Sequence, residues 1–183
     1  ASPDLLWEQL GEDHGDREPL VMASDSGNVF VAGVENLSDD QTRWVYRQHS
    51  VRYNGRVIFD ETEAIPGRPT AISLDPQRAY VGGCRISAAG DCDIYIRAYN
   101  KNGSVAWETD AGAVPFDLAG GYDTVNAMKV YNNALFVAAT TTTEDGDTDY
   151  LVIKMDAQSG EVIDFDQSGV PGIDDAALDI KAY

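Results

Sequence analysis

Positive charge is what this sequence has least of. Thirteen lysines and arginines face thirty-one aspartates and glutamates, for a net charge of −18 and a pI near 4.1. Nucleic acid and anionic membrane surfaces are excluded as natural partners, because binding them requires a basic surface that displaces counterions. Long apolar runs are also missing. The longest, such as Ala134-Leu135-Phe136-Val137-Ala138-Ala139, is far too short for a membrane-spanning helix. No charged-then-apolar leader opens the sequence, and Ala1-Ser2-Pro3-Asp4 suits a mature end left by cleavage. No nucleophile elbow, metalloprotease motif or phosphate loop occurs. No segment sustains a helical period, which leaves an all-β chain.

Cysteine is scarce but informative. Cys84 and Cys92 stand eight positions apart, too far for a C-x-x-C redox or zinc motif. With Gly90 and other small residues between them, they suit a disulfide clamping a β-hairpin in an oxidising compartment.

What the sequence does have is an internal repeat. Asn28-Val29-Phe30-Val31-Ala32-Gly33, Arg78-Ala79-Tyr80-Val81-Gly82-Gly83 and Ala134-Leu135-Phe136-Val137-Ala138-Ala139 read alike, spaced 50 and 56 positions apart. Small apolar strands precede each copy, with a turn between. Ten residues after Gly33, Gly83 and Ala139 come Arg43, Asp93 and Asp149, each opening another alternating strand. A turn containing Gly55, Gly103 or Gly160 then leads to a last strand. Each unit is a meander of four short strands. A repeat of about 50 residues with four strands is the size of a β-propeller blade, which must stack on neighbours to bury both faces.

The expected blades are 18–60, 68–109 and 123–166. Leu5-Leu6-Trp7-Glu8 matches Val105-Ala106-Trp107-Glu108, so 5–9 is expected to be the outer strand of a preceding blade. Residues 174–183 are expected to form the inner strand of a following one. Three blades fall short of the roughly four to eight that close a ring. Further blades are therefore expected from a longer parent chain or from partner chains.

The run Tyr95-Ile96-Arg97-Ala98-Tyr99-Asn100-Lys101-Asn102-Gly103-Ser104-Val105-Ala106-Trp107, preceded by the Val-Gly-Gly strand and Asp93, resembles the secreted bacterial and archaeal propeller repeats of the seven-bladed and delta-sixty types. The match is strongest over Arg68 to Trp107 and over Asp123 to Gly160. The first copy departs, since Arg43 replaces the aspartate. The resemblance implies an extracellular, cell-surface or periplasmic location and roles in contact or adhesion. Fold alone does not fix function.

Local chemistry is sparse. Glu144-Asp145-Gly146-Asp147-Thr148-Asp149 offers alternating carboxylates, so Asp145, Asp147 and Asp149 are the candidate calcium ligands, and calcium the candidate cofactor. Asx-turn capping is the competing explanation, and it suits Asp149 and Asp93 better than Asp145 and Asp147. Arg47, Arg97 and Lys154 read as one repeat position near recurrent carboxylates, suggesting ion pairs between blades. Trp7, Phe59 and Trp107 fill equivalent positions suited to blade packing. Trp44 and Tyr46 stand where the resembled repeats prefer aliphatics, which makes them candidate exposed aromatics for an interaction surface. His14 lies in an acidic loop between blades. These features point to a non-catalytic scaffold for protein interaction, adhesion or assembly. The alternatives are part of a propeller hydrolase, lyase or quinone-dependent oxidoreductase with its site at the axial mouth, and a calcium-dependent adhesive module.

Overall fold

The computed structural model describes residues 16–37, 41–109, 115–116 and 121–181. The 5–9 strand and His14 lie outside these residues. Eleven antiparallel strands are present among the described residues: β1 (Asp16–Ser24), β2 (Asn28–Asn36), β3 (Thr42–Ser50), β4 (Val57–Leu74), β5 (Arg78–Ile86), β6 (Cys92–Asn100), β7 (Val105–Glu108), β8 (Thr124–Tyr131), β9 (Ala134–Thr142), β10 (Thr148–Asp156) and β11 (Val162–Ser168). Each strand pairs with its sequence neighbour, in one sheet running β1 to β7 and a second running β8 to β11.

The larger sheet contains two meanders, because β4 serves both. Its first part pairs with β3 from Val57 to Pro66, and its second part pairs with β5 from Gly67 to Leu74. The segment expected to link blades between 60 and 68 is thus extended chain, the outer strand of one blade running into the inner strand of the next. Three four-stranded blades result: β1–β2–β3–β4, β4–β5–β6–β7 and β8–β9–β10–β11.

Alternation along β5 and β6 gives the middle blade two apolar faces. Ala79, Val81, Tyr95 and Tyr99 join Phe30, Ala32, Trp44 and Tyr46 of the first blade in one core. Tyr80, Ile94, Ile96 and Ala98 join Leu135, Val137, Leu151, Ile153 and Met155 of the third blade in a second core. The first interface is aromatic, with Tyr46 and Tyr99 stacked at 4.0 Å between ring centroids and Trp44 edge-on to Tyr95 at 5.5 Å. The second is mainly aliphatic, with Tyr80 beside Trp107 at 5.9 Å between ring centroids.

Hairpin turns repeat with the strands. Asp25 accepts the backbone N–H groups of Gly27 and Asn28, and Asp75 those of Gln77 and Arg78, so both close the first turn of their blade as Asx-turns. Each inner strand carries a bulge at the same place, between Pro19 and Val21, Pro69 and Ala71, and Val125 and Ala127. Opposite the bulge the second strand runs against a carbonyl. A β-carbon on Gly33 or Gly83 would lie 2.1 Å from the carbonyl oxygen of Glu18 or Arg68. This close approach explains the glycines at 33 and 83; the third blade has Ala139 at this position, opposite Val125.

Outer-strand aromatics lock onto the next blade. A β-carbon on Gly103 would come within 2.1 Å of the Phe59 ring, and one on Gly160 within 2.6 Å of the Trp107 ring. Both glycines have positive φ, 90° and 79°. Gly146 has a similar φ of 87° but open space around it. Gly146→Ala should therefore cost only the backbone strain, about 1 kcal/mol. Gly160→Ala should cost about 3 kcal/mol, because it adds overlap with Trp107. Equal losses for both variants in urea denaturation would show that the aromatic–glycine contact contributes nothing.

Candidate functional site at the blade interfaces

Side-chain chemistry concentrates where the blades meet. Arg97 of β6 faces the first blade and contacts Glu63 of β4 at 2.6 Å. The same guanidinium donates from Nε to Glu108 at 2.9 Å. The Tyr95 hydroxyl donates to Glu108 at 2.6 Å, and the Tyr99 hydroxyl to Glu63 at 3.3 Å. The Arg85 guanidinium also lies over the Tyr95 ring, 5.1 Å from its centroid. The Tyr95 hydrogen bond leads the stabilisation of the Glu108 carboxylate, which with Arg97 overcomes partial burial and holds this acid below its ordinary value. Burial pushes the Tyr95 and Tyr99 hydroxyls well up, so both stay protonated as donors.

The face of the first blade turned away from the middle blade repeats this pattern. Val31 stands opposite Arg47 as Val81 stands opposite Arg97, and Asp60 stands opposite Arg47 as Glu108 does opposite Arg97. Arg47 contacts Asp60 at 2.5 Å. Arg17 reaches from β1 to Asp60 at 3.2 Å and to the Thr62 hydroxyl at 2.7 Å, so its side chain spans the width of the meander. Burial pushes the Asp60 carboxyl up, but Arg47 and Arg17 more than offset it and hold it below its ordinary value.

Lys154 does not share this position. In β10 the residue opposite Val137 is Ile153, which is buried in the second core, while Lys154 points to the other face over Phe136. Ile153 lies sixteen residues after Val137, as Arg47 lies after Val31 and Arg97 after Val81, so the equivalent position is one before Lys154, and a shift of one reverses the face. The first-repeat departure at Arg43 is likewise resolved across the strand pair. Glu35 stands opposite Arg43 and bonds it at 2.6 Å, whereas Arg85 stands opposite Asp93. The charges have exchanged strands.

Trp44 and Tyr46 are not exposed. Each is 1% accessible, so the expectation of a surface aromatic pair is corrected. Their ring partners Tyr95 and Tyr99 sit where the third blade has aliphatics, and aromatic bulk on one side is matched by aromatic bulk on the other. The large hydrophobics that are exposed lie elsewhere, among them Tyr53 and Leu178.

Cys84 and Cys92 form a disulfide across the β5–β6 hairpin, with Cα atoms 5.4 Å apart. The acidic loop is organised by capping. Thr143 Oγ1 bonds the Asp147 carboxylate, which also accepts the Gly172 N–H at 2.6 Å, and Asp149 accepts from Gln167 at 3.0 Å. Ser87 and Asp91 make the equivalent pair in the middle blade. Asp147, expected to resist a capping explanation, is the residue that caps. Asp145, Asp147 and Asp149 do not converge, and among the described residues no three histidine, cysteine or acidic groups are placed to hold a metal ion together.

Residues 174–180 are not a paired strand, but their hydrogen bonds repeat those of one. Asp123 donates its N–H to the Cys92 carbonyl at 2.6 Å, and Asp175 donates to the Thr148 carbonyl at 2.6 Å. Thr70, the bulge residue of β4, bonds the Val125 carbonyl, and Asn126, the bulge residue of β8, bonds the Ala177 carbonyl at 2.9 Å. The segment therefore lies beside β8 as β8 lies beside β4.

Neither the family models nor the curated proteins include a match to this chain. Among solved structures it is similar to the subtype N10 neuraminidase-like protein of A/little yellow-shouldered bat/Guatemala/060/2010, with a TM-score of 0.55 and 14% sequence identity. The likeness covers 89% of this chain and 47% of that one, so the chain spans about half of the neighbour. The fold is that of β-propeller blades. Among the described residues no helix is long and apolar enough to cross a membrane.

The interface network sets a pH dependence. Glu108, Asp60 and Glu35 all titrate below their ordinary values in the folded chain. Their stabilisation is complete above the unfolded value, 4.5 for glutamate, and is lost as pH falls through the lower folded value. Glu108→Gln should flatten the decline of the urea midpoint below pH 4.5 relative to wild type. Parallel acid limbs for the two proteins would remove Glu108 from the account.

Proposed function

We propose that this chain is a non-catalytic propeller segment that acts as an interaction or assembly scaffold outside the cytoplasm, its outer blades covered by further blades of a longer chain or of partner chains. One observation carries the reading. The Arg47–Asp60 pair, on the face of the first blade that no described blade covers, is the register equivalent of the Arg97–Glu108 pair, and in the middle blade that pair lies under the preceding blade. The face is thus patterned for a neighbour. Segment 174–180 supports the same conclusion at the other side, since the stitches that seat an inner strand are already made there. The oxidising location rests on the hairpin disulfide, which persists outside reducing compartments. The similarity of the repeats to secreted adhesive propellers agrees with it.

Among the described residues no blade covers the outer face of the first blade or pairs with segment 174–180, and such surfaces favour association. Sedimentation velocity of the 183-residue chain at micromolar concentration should therefore give species heavier than 19.8 kDa. A single, stable, folded 19.8 kDa monomer across that range would contradict the proposal.

A further inference from the structure

The turn between the third and fourth strands of each blade is built on one frame. In the first blade the Val51 N–H bonds the Gly27 carbonyl, and the Gly55 N–H returns to the Ser50 carbonyl. Lys101 and Gly103 make the same bonds in the middle blade, and Ala157 and Gly160 in the third. What fills the frame differs. Asn102 alone stands between the two bonded positions of the middle blade, Gln158 and Ser159 in the third, and Arg52, Tyr53 and Asn54 in the first. Asn54 and Gly55 take positive φ, 52° and 75°, to turn the longer chain back. After the glycine comes Arg56, where the other blades have Ser104 and Glu161. In repeat folds such insertions fall on loops, often those of the binding face.

The inserted residues run against the composition of the chain. Carboxylates outnumber lysines and arginines thirty-one to thirteen, yet none occurs from residue 41 to residue 59, a stretch that holds four arginines. Arg43 and Arg47 pair with Glu35 and Asp60. Arg52 and Arg56 are exposed, and their side chains make no hydrogen bond, ion pair or ring contact among the described residues. Asp25 and Asp75 border the same depression as Arg52, but turn N–H groups, Lys101 and the Tyr80 hydroxyl already engage them. Apolar surface lies beside the two unpaired charges: Tyr53 is 71% exposed, Ile58 49% and Val51 38%. Tyrosine and arginine together, with aliphatic side chains around them, are the composition of the energetic centre of a protein interface. Aliphatic side chains give a sugar ring no flat surface on which to stack.

We propose that the β3–β4 turn docks an acidic, partly apolar segment of a partner protein. Carboxylates of the segment meet Arg52 and Arg56, and an apolar side chain meets Tyr53 and Ile58. Guanidinium–carboxylate pairs are directional and frequently bidentate, so they orient the segment as well as attract it. Because the chain as a whole carries a net charge of −18, the same segment is repelled over most of the remaining surface. Specificity for the turn therefore comes from exclusion as well as attraction. The turn lies at the rim of the first blade, apart from the blade faces. The inference rests on the scaffold reading only in taking the partner to be a protein.

The test is titration of the 183-residue chain with a blocked glutamate-rich peptide carrying central leucines, followed by amide chemical shifts. The same peptide with lysine for every glutamate is the control, and oligogalacturonate is a second arm. Saturable shifts at Tyr53 and Arg56 are expected with the acidic peptide. Arg52→Glu combined with Arg56→Glu should weaken binding by at least about tenfold, and added salt should weaken it as well. Tyr53→Ala should also weaken it, which a purely electrostatic surface would not show. Lys129→Glu, at an exposed cation on β8, should leave the affinity unchanged. The heavier species expected from blade-face association should survive the double arginine variant, so the failure of one reading leaves the other standing. Their loss in that variant would make the turn a contact between copies of this chain and overturn the proposal. Absence of shifts at Tyr53 and Arg56, an equal response to the lysine peptide, or equally tight binding of oligogalacturonate also overturns it.

Discussion

A four-stranded meander with apolar residues on both faces cannot be stable until both faces are covered, and every other feature of this chain follows from that constraint. The middle blade satisfies it. Tyr95 and Tyr99 go under one neighbour, Ile94 and Ile96 under the other, and all four are at most 1% accessible. Burial of this kind contributes on the order of 25 cal/mol for each Å² of apolar surface removed from water. The contribution is lost from both sides of an interface at once if the blades separate. Continuity of β4 between two blades reduces that possibility, because the outer strand of one cannot move without the inner strand of the next.

Polar groups at the interfaces do a different job. Arg97, Glu63, Glu108, Tyr95 and Tyr99 form a connected set in which each charge has an opposite partner and each phenol a carboxylate acceptor. Such sets add register and orientation more than net stability, since desolvation consumes much of the Coulomb gain. Here they fix the rotation of one blade against the next, while the aromatic–glycine contacts of Phe59 on Gly103 and Trp107 on Gly160 fix the spacing. The strongly acidic surface plays no part in this arrangement.

The blade architecture was legible in the sequence because it is written three times, and period-two alternation marks the strands within each copy. Strand-level register was less legible. As a cation late in its strand, Lys154 invites alignment with Arg47 and Arg97, but Ile153 is the residue that stands four after Asp149, as they stand four after Arg43 and Asp93. Burial of Trp44 and Tyr46 could not be read from their own strand, because the reason lies in Tyr95 and Tyr99 on another blade. A signal was available: aromatics at alternate positions of two successive third strands suggest that those faces meet. The acidic loop misled for a local reason. Hydrogen bonds from Thr143 and Gly172 occupy the carboxylate of Asp147, and spacing alone does not reveal them.

Amide hydrogen exchange read strand by strand tests the central claim most directly. If cover on both faces governs stability, β5 and β6 exchange slowest, β2, β3, β9 and β10 exchange faster, and β11 fastest. Exchange of β5 and β6 at the rate of β11, or slower exchange in a flanking blade than in the middle one, would contradict the account.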